Sequence, residues 1–205
     1  HNKNLYKNIL SKVYKYYMKI LAVQSRMGIG DTVIFLPFIK ALSKKFNSPI
    51  SILVKENSKA NQYLHQTKYI DKILILERDN KKNNRHGGFF GIFNLANDLK
   101  KYKFDKIFIF NSSLRFNLIA RLAGIKDVQQ YPLFKKTNQH ITQPAKDLIK
   151  QSLNSEITSN PEIQINQDLI EAAITPKTKA IMIAHALGNP FNVGRVKEIC
   201  DKHNL

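Results

Sequence analysis

The chain has 205 residues, room for one or two domains with a real core, and its 43% hydrophobic and 23% charged residues mark a globular protein rather than a disordered or collagenous one. No apolar run approaches the ~20 residues of a membrane-spanning helix, and a single cysteine, Cys200, excludes an internal disulfide framework or a Cys-rich zinc site. Lysine and arginine total 33 against 15 acids, a net charge of +18, which points to an acidic partner or to a solvated basic surface.

The charge is uneven. From Asp168 onward the signs nearly cancel, and the first 167 residues carry the excess. The lysines are scattered, with short pairs at Lys81-Lys82 and Lys135-Lys136, and no zinc-finger spacing, RNP-like aromatic motif or helix-turn-helix pattern stands out, so no specific nucleic acid is expected. Residues 1–17 hold four lysines, four tyrosines and no acid, and read as a basic extension before Met18. Leu5, Ile9, Leu10, Val13 and Tyr17 form an amphipathic stripe. It suits either a membrane face or docking onto the body.

From Met18 short apolar runs alternate with amphipathic stretches. Ile20–Val23 reads as a buried strand, Asp31–Phe46 as a helix, Ile50–Val54 as a second strand and Ser58–Gln66 as a short helix. Ile73–Leu76 is a third strand, and Asp79–Gly88 a polar, glycine-ended loop. Phe89, Phe90, Phe93, Ala96 and Leu99 recur at helical spacing, and Lys106–Phe110 is a fourth strand. Leu114, Leu118, Ile119 and Leu122 mark a helix stopped by Gly124, and Gln143–Leu153 adds another before a break at Thr158–Pro161. The pattern then restarts: a helix over Asp168–Ala173, a turn at Thr175–Lys177, a strand over Ala180–Ala184, a loop at Leu187–Pro190 and a helix over Val193–His203. Such alternation predicts an α/β fold, a Rossmann-like parallel sheet with helices on both faces, plus a C-terminal β-α piece.

In an open parallel sheet ligands bind beyond the carboxyl ends of the strands. The first such turn is Ser25-Arg26-Met27-Gly28-Ile29-Gly30-Asp31-Thr32. Gly28 and Gly30 permit a sharp bend and close backbone approach to a ligand, and the helix beyond offers free N–H groups. A dinucleotide fingerprint would place a third glycine where Val33 stands, which argues against a nicotinamide site. Asp31 has two readings. As an N-cap it would accept from the amide of residue 33 or 34, a stabilisation of ~1 kcal/mol. As a functional carboxylate it would face the cleft and take a proton from a substrate hydroxyl.

The run ILAVQSRMGIGDTVIFLPFIKALSKKF, residues 20–46, resembles the start of glycosyltransferase family 9, the heptosyltransferase-like enzymes of lipopolysaccharide assembly; Gly30, Asp31 and Pro37 carry the match. The segments FDKIFIFNS (Phe104–Ser112) and RLAGI (Arg121–Ile125) are also similar, and the resemblance covers residues 18–166. It implies the N-terminal, acceptor-side half of an inverting GT-B enzyme. The implied donor is a nucleotide-sugar and the acceptor an anionic lipid-linked glycan, in the cytoplasm or peripherally on the inner face of the inner membrane. Asp31 would be the general base and no metal or other cofactor would be needed. Arg26 beside the turn would steer the acceptor, or is a surface arginine. His140 and Lys135-Lys136 are further anion contacts, or plain loop residues.

The closing run DLIEAAITPKTKAIMIAHALGNPFNVGRVKEICDKHNL, residues 168–205, resembles a different group, the DegT/DnrJ/EryC1/StrS sugar aminotransferases and 3-dehydratases, most closely through AHALGNPF (Ala184–Phe191). That family uses pyridoxal phosphate, and the resemblance puts His185 and Asn189 near the cofactor. Without it His185 is a strand-end histidine with a structural hydrogen bond. The expected organisation is therefore an extension (1–17), an acceptor-side domain (18–166) and a partial aminotransferase-like segment (167–205), joined in a fragment or a fused reading frame. Such a chain is expected to be catalytically inactive alone. Its alternatives are a piece of a pyridoxal-phosphate enzyme and a basic, non-enzymatic anion-binding module.

Overall fold

The computed structural model describes residues 17–26, 28–65, 67–78, 84–133, 142–154, 167–182 and 192–205. Five parallel strands form one sheet in the order β3-β2-β1-β4-β5, where β1 is Ile20–Gln24, β2 Ile50–Lys55, β3 Ile70–Leu76, β4 Lys106–Ile109 and β5 Asp127–Gln130. The central strand β1 is buried along its whole length, because both of its faces are covered. Ile20 and Ala22 point into one core, and Leu21 and Val23 into the other.

Helix α1 (Ile29–Phe46) fills the first core with Val33, Phe35, Leu36 and Ile39, joined there by Ala145, Leu148 and Ile149 of α5 (Gln143–Leu153). The short helix α2 (Ala60–Tyr63) closes the same side. On the opposite face α3 (Phe90–Lys100) and α4 (Leu114–Leu122) bury Leu95, Leu99, Phe116 and Ile119. The chain thus winds outward from β1 to β3 under one layer, then returns to β4 under the other. The strand order reverses between β1 and β4, and in such sheets the crevice at that reversal is where ligands bind.

The sequence-derived fold holds, and four local departures have physical causes. The helix expected from Asp31 begins two residues earlier, because Gly28 adopts φ +104° and supplies the cap position. The helix expected over Ser58–Gln66 is broken into a 3-10 turn (Glu56–Ser58) and α2 by Lys59, which sits in the left-handed region at φ 52°. Strand β5 escaped the hydrophobic pattern, since the edge segment DVQQ has one apolar residue and is held by pairing to β4. Ala180–Met182 form no strand, and Ile183 and Ala184 lie outside the described residues. A strand needs a neighbour to satisfy its backbone, and no strand of the sheet pairs with these three residues. Helices α6 (Gln167–Ala172) and α7 (Val193–His203) are present and linked by Glu171, which bonds Lys202 at 2.7 Å and His203 at 3.0 Å. Among the described residues no helix is long and apolar enough to cross a membrane.

Candidate functional site

The turn between β1 and α1 is set by a residue that ends an apolar strand with an amide. Gln24 is buried; its Nε2 donates to the Asp31 carbonyl at 3.3 Å and its Oε1 accepts from the Arg26 amide at 2.9 Å. One side chain thereby clamps both limbs of the bend. Thr32 Oγ1 adds a bond to the Gly28 carbonyl at 3.2 Å. The positive φ of Gly28 lets the chain reverse without a Cβ clash.

The facing wall is built from the end of β4. Asn111 Nδ2 donates to Ser25 Oγ at 3.0 Å, tying the two strand ends together, and Asn111 Oδ1 accepts from the Ser113 amide at 2.9 Å at the entry to α4. Gln130 at the end of β5 donates to the carbonyls of Asn111 (3.1 Å) and Ser113 (2.9 Å) and accepts from Asn117 at 3.0 Å. Tyr131 follows, stacked edge-on against Phe110. Burial pushes its phenol well above the ordinary value; the Arg26 charge opposes this and Asp147 adds to it. Arg26 is exposed and stands close enough to Tyr131 for its charge to act on that phenol.

Asp31 is the third residue of α1, in its first turn. It is not the N-cap: that place belongs to Gly28, and no side-chain cap bond closes the helix. Of the two sequence readings the cap is therefore the one the geometry removes. The carboxylate is half-buried, and no side chain or amide among the described residues bonds it. A Cβ placed on Gly28 would stand 3.7 Å from Asp31 Oδ2, so the acid leans back over the bend rather than into the core. Gly30 has open space around it. The geometry brings Arg26, Gly28, Gly30 and Asp31 together on one turn at the strand-order reversal. An acid here stands in the first turn of a helix, with both carboxylate oxygens unbonded by any described group.

Gln24 and Asn111 were not singled out by sequence reasoning. Their signal is a polar side chain immediately after an apolar run, at the carboxyl ends of adjacent strands. His140 and Lys135-Lys136 lie outside the described residues, as do His185 and Asn189. A separate hollow at the amino ends of the strands, lined by Lys19, Ser48, Lys68 and Tyr102, shares no residue with this turn.

The solved structure of a glycosyl transferase family 9 protein from Veillonella parvula aligns with 76% of this chain and 48% of its own, with a TM-score of 0.55 and 17% identity. The E. coli ADP-heptose lps heptosyltransferase II aligns with 78% of this chain and 52% of its own, with a TM-score of 0.51 and 12% identity. At such identity the likeness is one of fold: the parallel α/β sheet is the one these transferases use, and the chain spans about half of their length.

The family model and the curated relatives match the other end of the chain. Residues 157–205 match the DegT/DnrJ/EryC1/StrS aminotransferase family. The lipopolysaccharide biosynthesis protein RfbH of Salmonella typhimurium is 60% identical over 45 residues, which cover 22% of this chain and 10% of RfbH. The residues that this resemblance puts near pyridoxal phosphate, His185 and Asn189, are outside the described ones, and those described at this end are engaged with one another. Ala180–Met182 make no strand, Glu171 is taken by Lys202 and His203, and Lys197 is taken by Asp201.

Proposed function

We propose that residues 18–166 are the acceptor-side domain of an inverting glycosyltransferase, with Asp31 as the general base. The observation that carries this reading is the Asp31 carboxylate, unbonded by any described group and held over a glycine bend at the strand-order reversal. In the reaction an acceptor hydroxyl gives its proton to Asp31. The acceptor oxygen attacks the anomeric carbon of a nucleotide-sugar, and the bond to the diphosphate breaks, its electron pair leaving with the nucleotide. Arg26 attracts the anionic acceptor, while Gly28 and Gly30 leave room for it beside the carboxylate. The expected acceptor is a phosphorylated, lipid-linked glycan at the cytoplasmic face of a membrane, which suits the positive charge of this half.

The donor half is expected from a second Rossmann-like domain, so catalysis belongs to a two-domain enzyme that contains residues 18–166. In that enzyme Asp31→Asn is expected to lower kcat by about 10²–10⁴-fold, the usual contribution of a positioned base. The unfolding midpoint should stay near that of the parent, because no described side-chain bond is lost. Full turnover by the variant removes the base role.

A further inference from the structure

We propose that the outer flank of α3 and α4 is a docking surface for an anionic lipid bilayer. Phe90 is 78% exposed and Phe89 68%, and the Phe89 ring meets Phe90 and Phe93 edge-on, its centroid 5.9 Å from Phe90 and 5.7 Å from Phe93. Leu114, Leu118 and Leu122, spaced four apart, form an exposed stripe on α4 opposite its buried Phe116, Ile119 and Ala120. The two features adjoin: Arg115, next to Leu114, donates to the Gly88 carbonyl at 2.7 Å and to the His86 carbonyl at 2.6 Å, so the aromatic knuckle is strapped to the head of α4. Six large apolar side chains on neighbouring helices, all turned from the sheet, need an occupant.

Charge identifies it. Lys100, seven residues beyond Phe93 on α3, and Arg121, three beyond Leu118 on α4, are exposed and share helical faces with the apolar side chains. Asp98 is engaged by Arg85 and Lys101, and Arg78 stands close enough to Arg115 for its charge to act on it. Exposed aromatic rings and leucines with Lys100 and Arg121 beside them on the same helices suit the boundary between acyl chains and acidic headgroups, where rings sit at the interface and cations meet phosphate. A second copy of this chain would bring like charge against like, since each carries +18. The inference uses exposure and charge alone. Vesicle binding without sugar transfer, or the reverse, would separate it from the transfer reading.

The chain has no tryptophan, so a single introduced indole reports its own surroundings. The test uses the full 205-residue chain as Phe90→Trp, with Asn61→Trp on the opposite side as the control, titrated with phosphatidylcholine vesicles with and without phosphatidylglycerol. Emission from Phe90→Trp should shift to the blue only with phosphatidylglycerol present, and emission from Asn61→Trp should stay fixed. The exposed pair Phe89→Ser/Phe93→Ser, checked for an unchanged melting curve, should reduce vesicle partitioning about tenfold. An unmoved Phe90→Trp spectrum on vesicle-bound protein overturns the proposal, as does unchanged partitioning of the folded double variant. A blue shift that instead follows protein concentration without lipid, with a dimer in sedimentation velocity, assigns the flank to a second copy and also overturns it.

Discussion

His86 is buried in a segment that sequence alone reads as a polar loop, and its contacts show how single residues carry this fold. Its Nδ1 accepts from the Glu77 amide at 3.0 Å, which leaves Nε2 to donate to Asp98 at 3.1 Å. Burial pushes the Asp98 carboxyl up, but hydrogen bonds from Arg85, His86 and Lys101 outweigh it and hold the group at about 2. A carboxyl lowered on folding stabilises the native state above its unfolded value, and that contribution is lost as pH falls through the folded one. Asp98→Asn should therefore cost about 1–3 kcal/mol at neutral pH. Urea unfolding of the parent should lose stability between pH 4 and about 2 more steeply than that of the variant. Gly91 belongs to the same arrangement, because a Cβ there would fall on the His86 main chain. Gly91→Ala should destabilise by about 1–3 kcal/mol, read as a lower urea midpoint with unchanged slope.

Elements were legible wherever apolar residues recur at strand or helix spacing. β1, β2 and β4 are rich in apolar residues and α1 shows its buried face at helical spacing, whereas the spacing that marked α3 and α4 also ran through Phe89, Phe90, Phe93, Leu114, Leu118 and Leu122, which are exposed. β5 was not legible, because its stability comes from partners distant in sequence: Lys106 bonds Asp127 at 2.6 Å, and Gln129 and Gln130 reach Ser152, Asn111 and Ser113. The strand expected at Ala180 failed for the converse reason, since a local pattern cannot supply a sheet neighbour. Gln130→Leu tests the role of β5. It leaves the Asn111 and Ser113 carbonyls and the Asn117 amide without this partner, and should lower stability by about 1–3 kcal/mol. Amide exchange should rise at Asn111–Ser113 ahead of global unfolding. Unchanged exchange there would show that the β4–α4 corner is held by other contacts.

At the scale of the whole molecule the two ends point to different chemistry. The turn of the candidate site was visible in sequence as Gly-x-Gly-Asp after a strand, yet the choice between cap and base was not. The cap reading depended on where the helix begins, and a positive φ at Gly28 starts it two residues before Asp31. The clamp by Gln24 and the cross-strand bond from Asn111 required the strand order. We propose the division into an acceptor-side body and a short aminotransferase-like tail as the organisation of the chain. Incubating the purified chain with pyridoxal phosphate should then give no Schiff-base absorbance band beyond that of exposed lysines, and borohydride should trap no single modified site. One stoichiometric adduct within residues 167–205 would restore the cofactor reading.

The most direct measurement of the central claim is the pH dependence of kcat in the two-domain enzyme containing residues 18–166, compared with its Asp31→Asn variant. A general base must lose its proton before it can accept one, so the parent should show an acidic limb of unit slope. The variant should keep a low rate that is flat across the same range. Persistence of that limb in Asp31→Asn, with the rate undiminished, would contradict the account.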